Sequence, residues 1–121
     1  MKAVGGPPVT SAPAPVTLVV QLWAREGASD ALTRYEDRVL ALLIDHDGEL
    51  VHRLRGDGEH GAPLEFHVIR FANEASLEQY MLDERRVALR GERDVAIART
   101  EVHRVRDVAT LRSETRNDAT R

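Results

Sequence analysis

Two histidines flank a glycine-rich turn at matching distances from its centre. Residues 49–56 (ELVHRLRG) and 63–71 (PLEFHVIRF) lie on either side of residues 57–62 (DGEHGA). If the two segments pair symmetrically about that turn, His52 lies across from His67, and Leu54 across from Glu65. Directly opposed Cβ atoms in an antiparallel pair sit about 4.5–5.5 Å apart. Two imidazoles at that separation, with Glu65 beside them, would form a general acid/base unit near neutral pH. The same groups could offer nitrogen and oxygen ligands to a metal. The structural alternative is two half-buried polar side chains, each held by backbone or water. The arrangement depends on register, since a slip of one residue turns one histidine to the other face. No HExxH spacing occurs, so neither a metal nor a cofactor is expected. The catalytic candidates are therefore His52, His67 and Glu65.

Other residues are candidates for holding a ligand. Tyr35 and Tyr80 fall on the apolar stripes of helical segments, where they can aim hydroxyls into a pocket or serve as core. Trp23 suits a pocket wall or an interface anchor. Arg53 and Arg55 share one face of a strand, where they can bind a carboxylate or solvate a sheet edge. The run Asp83, Glu84, Arg85, Arg86 reads as a solvated helix turn, and His46, His60 and His103 read as surface residues. Gly56, Gly58 and Gly61 do not lead from a strand into a helix, so no phosphate loop is implied.

Composition removes several function classes. The net charge of −3 and pI near 5.9 lack the basic surplus of a duplex-binding protein. Five aromatic residues (Trp23, Tyr35, Tyr80, Phe66, Phe71) are too few for a base-stacking platform, so no nucleic-acid partner is expected. No apolar run approaches the roughly 20 residues of a membrane span. The absence of cysteine fits a reducing compartment, and a cytoplasmic location is expected. Only Lys2 is a lysine among 17 basic residues, which fits a GC-rich genome.

The elements that must position these residues follow from periodicity. Residues 1–15 are rich in Pro, Gly and Ala and are expected to be disordered; residues 107–121 are expected to be a flexible tail. The domain is then 16–106. VTLVVQLWA (16–24) is apolar on both faces and reads as a buried strand. Ala28, Leu32, Tyr35, Val39 and Leu42 share one helical stripe, with Ser29 or Asp30 as cap. Gly48 suits the left-handed position after that helix. The hairpin comes next. Asn73 then caps a helix, Asp83 a further helical piece, and residues 99–105 form an edge strand.

The order strand-helix-strand-strand-helix-strand places both helices on one face of a four-stranded antiparallel sheet, a ferredoxin-like α+β fold. The other face remains apolar, with Val19, Trp23, Phe66 and Val68 on it. A sheet apolar on two faces with helices for one is expected to pair with a second copy, giving a homodimer.

The first strand, the Tyr35 helix, Asp47-Gly48, Arg55-Gly56, and VIRF followed by NEASLEQYM together resemble the dimeric α+β barrel superfamily. Within it the chain is similar to a small bacterial branch classed as a domain of unknown function. The resemblance implies a pocket between sheet and helices, and a small organic ligand. It implies either a cofactor-free enzyme, monooxygenase- or isomerase-like, or a non-catalytic ligand-binding or regulatory homodimer. The monooxygenases of that superfamily often use Asn, Trp and His or Arg around an aromatic substrate. The only asparagines here are Asn73 and Asn117.

Overall fold

A computed structural model describes residues 14–109. The expectations for residues 1–13 and 110–121 lie outside the described residues. Strand β1 spans Val16–Ala24, helix α1 Ser29–Leu40, β2 Gly48–Arg55 and β3 Glu65–Phe71. Three short helices follow, α2 Glu74–Leu82, α3 Glu84–Val87 and α4 Arg90–Ala96, before β4 at Ile97–Val105. The sheet order is β2-β3-β1-β4, antiparallel throughout, which is the ferredoxin-like α+β arrangement.

One face of the central strands is buried. Leu18, Val20 and Leu22 of β1 lie beside Ile69, His67 and Glu65 of β3, and Leu32, Tyr35, Val39 and Tyr80 pack over this side. The opposite face carries Val19 and Trp23 beside Val68 and Phe66, none of them buried. The two-faced reading of β1 and β3 is thus correct.

Helix entry and exit differ from expectation. Ala28 occupies the first cap of α1 and no side chain caps it, so neither Ser29 nor Asp30 plays that part. A 3-10 turn, Leu43–His46, follows α1, and Asp47 takes the left-handed conformation there (φ 52°). Gly48 instead opens β2, where a Cβ would lie 2.9 Å from Phe71 and 3.0 Å from Leu43. Close approach of the aromatic ring, not backbone freedom, requires glycine at that position.

Asn73 and Asp83 do cap helices, accepting hydrogen bonds from the backbone N–H groups of Ser76 and Arg85. Extended backbone at Asp83 (φ −57°, ψ 127°) breaks the second helical stretch, and none of the four residues of α3 is buried. Helical cover over the sheet is therefore incomplete beside α2.

The hairpin carries the main correction. Gly48, Glu49 and Leu50 pair with Phe71, Arg70 and Ile69, as the symmetric register requires. A β-bulge between Leu50 and His52 then shifts the pairing by one residue toward the turn. His52 faces Val68, Arg53 faces His67, and Arg55 faces Glu65. One inserted residue reverses the facing of every side chain beyond it.

Candidate functional site

The bulge separates the two histidines. His52 lies exposed on the open face, while His67 lies on the helix-covered face and is 1% exposed. Arg53 takes the place expected for His52. The paired imidazoles, with Glu65 opposite Leu54, do not form. In their place is a different polar unit on the inner face.

Glu65 is its centre, 1% exposed. Arg53 reaches it side-on, with Nε donating to Oε1 at 2.9 Å and Nη2 donating to Oε2 at 3.1 Å. Thr33 of α1 donates its hydroxyl to Oε2 at 3.1 Å. His67 Nε2 lies 2.8 Å from Oε1. Burial alone would raise the Glu65 pKa, but hydrogen bonds from His67, Arg53 and Thr33 outweigh it and hold the carboxyl down at about 2. At neutral pH Glu65 is therefore an acceptor only, so Nε2 of His67 carries the proton and donates it. With the proton on Nε2, the uncharged form of the ring has its lone pair on Nδ1.

Nδ1 faces Glu36 of α1, whose Oε1 is 3.8 Å away. Glu36 is 6% exposed. Burial pushes its carboxyl up to about 7; His67, Arg86 and Arg53 pull against that rise, and the negative Glu65 adds to it. Two buried glutamates thus flank one imidazole, the first held ionised and the second poised between its two states near neutrality. Such divergence lets one group orient the base while the other exchanges protons.

His67 and Glu36 border a cleft of about 1130 Å3 between sheet and helices. Leu18, Val20, Ile69 and Phe71 form its floor, Tyr35, Glu36 and Val39 one wall, and Leu77 and Tyr80 the other. Its rim carries Met81, Leu82 and Val102, which are 46%, 74% and 54% exposed. The cleft opens beside α3, none of whose residues is buried. Tyr80 donates its hydroxyl to the carbonyl of Val39 at 3.0 Å, and burial pushes the phenol up to about 12. It stays protonated and ties α2 to α1. Burial likewise raises the Tyr35 phenol.

Of the expected ligand-binding residues, Tyr35 and Tyr80 line the cleft. Trp23 does not: it lies on the open face, donates Nε1–H to the carbonyl of Gly61 at 2.8 Å, and carries the Arg99 guanidinium 4.3 Å above its ring. Arg53 stands behind the site, and with Arg55 it binds a carboxylate of the chain itself. Among the catalytic candidates, Glu65 and His67 come together and His52 does not join them. Glu36 and Arg86 were not anticipated. Glu36 was legible, as an acid four residues after Leu32 and three before Val39 on an apolar stripe. Arg86 gave no signal beyond the solvated turn assigned to it.

Among the described residues no group of three or more His, Asp or Glu side chains is placed to hold a metal ion. No described helix is long and apolar enough to cross a membrane.

No protein-family model matches the chain, and no curated protein matches it. Solved structures do. A protein from Pseudomonas aeruginosa is 18% identical, with 82% of this chain aligned to 99% of that one at a TM-score of 0.65. SnoaB, a cofactor-independent oxygenase from Streptomyces nogalater, is 12% identical over 81% of this chain and 97% of its own, with a TM-score of 0.64. A DABB family protein with a ferredoxin-like fold from Mesorhizobium loti is 14% identical over 78% and 98%, with a TM-score of 0.59. At these identities the likeness is one of fold. The protein has the ferredoxin-like α+β fold that these structures share, as its sequence pattern indicates.

Proposed function

We propose that the protein binds a small, largely apolar organic molecule in the helix–sheet cleft and transforms it by proton transfer, without a bound cofactor. The observation that carries this reading is His67 on the cleft, its Nε2 fixed by ionised Glu65 and its Nδ1 turned toward Glu36. In that arrangement Nδ1 accepts a proton from an acidic C–H or O–H of the ligand. Glu65 then stabilises the imidazolium, while Arg53 holds Glu65 in place, and Glu36 returns a proton to another atom of the ligand. Proton removal and return suffices for an isomerisation. The same proton removal yields an electron-rich carbanion or phenolate, a species able to react with dioxygen directly, and one structure of this fold is a cofactor-independent oxygenase. The apolar floor supplies binding, and a cleft of this size accommodates a compound of one to three rings.

The open face of the sheet supports a homodimer as the working form, since Val19, Phe66 and Val68 are left uncovered by the chain's own helices. A bacterial, cytoplasmic setting remains part of the proposal.

Fragment screening by thermal shift on the full chain tests the binding step, because a ligand of the native state raises the melting temperature. Hits are then incubated in D2O and followed by NMR for loss of their acidic C–H signal. Exchange catalysed by wild type and abolished in His67→Gln supports the acid/base role. Hits whose exchange is the same in both proteins leave a binding protein without chemistry. A screen without hits removes the cleft as a ligand site.

A further inference from the structure

The cleft holds three arginines, and two of them have partners. Arg104 pairs with Glu74 at 2.6 Å, and Arg93 donates Nη2–H to the hydroxyl of Thr100 at 3.1 Å. Arg86 differs. Its Nε is shut off from solvent and makes no hydrogen bond, the Tyr80 hydroxyl is its polar neighbour, and among the described residues its guanidinium forms no ion pair. Its guanidinium carbon lies 5.1 Å from the centroid of the Tyr80 ring, held against the wall of the cleft. A cation lining an apolar cleft without a counter-charge is costly as far as it is shielded from water, and an anion in the cleft relieves that cost. Arg86 also acts electrostatically on Glu36, Tyr35 and Tyr80, which places its charge within the same pocket as the acid/base unit.

A guanidinium without a counter-charge in a largely apolar cleft identifies the chemistry. The two terminal Nη groups of a guanidinium present N–H donors side by side and match the two oxygens of a carboxylate. Arg53 makes a two-point contact of this kind, through Nε and Nη2, with Glu65 elsewhere in this chain. We propose that Arg86 anchors the ligand, and that the ligand is a small apolar carboxylate whose hydrocarbon body lies over Val20, Ile69 and Leu77. This rests on the cleft being the ligand site. Arg86 is then the specificity residue, and His67 meets a position further along the same molecule.

The test uses the full chain at pH 6.5 with two probes of equal shape, 2-naphthoate and the neutral 2-naphthamide, titrated by calorimetry. Wild type binds the carboxylate at least about tenfold more tightly than the amide, as a charge-assisted bidentate contact implies. Arg86→Gln abolishes that preference and leaves the affinity for the amide within about twofold. Arg86→Lys keeps the charge and loses the fork, so it weakens the carboxylate by about three- to tenfold. If the Gln variant does not fold, the Lys variant decides alone, and an unchanged affinity there overturns the assignment. Equal binding of both probes to wild type, or a preference that survives Arg86→Gln, overturns the anchor and leaves the cleft reading intact. Failure of both probes to bind wild type overturns the cleft reading and the anchor together.

Discussion

Glu36 and Glu65 are the same residue type, both buried, a few ångströms apart through His67, and their protons behave oppositely because their partners differ. The linkage to stability runs in opposite directions too. Glu65, lowered to about 2 from 4.5, contributes stability above pH 4.5 that is lost as pH falls toward 2. Glu36, raised to about 7 from 4.5, opposes folding once ionised, so stability falls as pH rises from 4.5 to 7 and levels off beyond. Glu36→Gln is therefore expected to stabilise the protein at pH 8 by on the order of 2 kcal/mol, and to flatten the decline between pH 4.5 and 7. Urea denaturation at pH 5 and pH 8 measures both, and a variant no more stable than wild type at pH 8 would show that Glu36 is not held out of water. Glu65→Gln leaves Arg53 without its buried counter-charge and should cost about 3–5 kcal/mol. Communication with His67 gives a third check: its imidazole NMR signals should move in Glu36→Gln and stay in place in His52→Gln. The reverse result would contradict the bulged register.

At the level of elements, the turn-proximal hairpin depends on a close backbone approach. A Cβ on Gly56 would lie 2.6 Å from the carbonyl oxygen of Pro63 and 3.2 Å from the Phe66 ring, next to the hydrogen bond from Gly56 N–H to the carbonyl of Leu64 at 2.7 Å. Backbone cannot yield there as a flexible side chain can. Gly56→Ala is expected to destabilise by about 1–3 kcal/mol, and to loosen the Arg55–Glu65 end of the hairpin first. Amide exchange of residues 53–56 and 64–66 reports this. Exchange unchanged from wild type would mean that the turn relaxes without cost. The bulge is the other decisive element. By inserting one residue into β2 it brings Arg53, not His52, to the inner face, which is why Glu65 can be buried as an ion.

For the whole molecule, the open face is what supports the proposed dimer. Val19, Phe66 and Val68 lie on adjacent strands on one surface, with exposed Leu54 beside Phe66. Light scattering at micromolar concentration should give twice the monomer mass, and Val68→Lys should return the monomer by placing a charge at the centre of that face. A monomer mass for wild type at high concentration would contradict the dimer. Trp23 belongs to this surface and not to the cleft, so its fluorescence should respond to dimerisation and be insensitive to cleft ligands.

The amino-acid sequence by itself determined the strand and helix order, the double apolar character of β1 and β3, the caps at Asn73 and Asp83, and the inward stripe of α1. These features follow from local periodicity and short-range hydrogen bonding, which any unbranched reading of the chain contains. Two of the three catalytic candidates, His67 and Glu65, were visible for the same reason: alternation in β3 places them on one face. Their partners were decided only by the tertiary structure. The bulge between Leu50 and His52 has no marker in ELVHRLRG, yet it exchanges histidine for arginine across from His67. Glu36 acquires its raised pKa from α1 packing over β3, and Arg86 enters the cleft because the chain breaks at Asp83. Each is a contact between residues far apart in the chain, and its chemistry exists only once the helices are laid on the sheet.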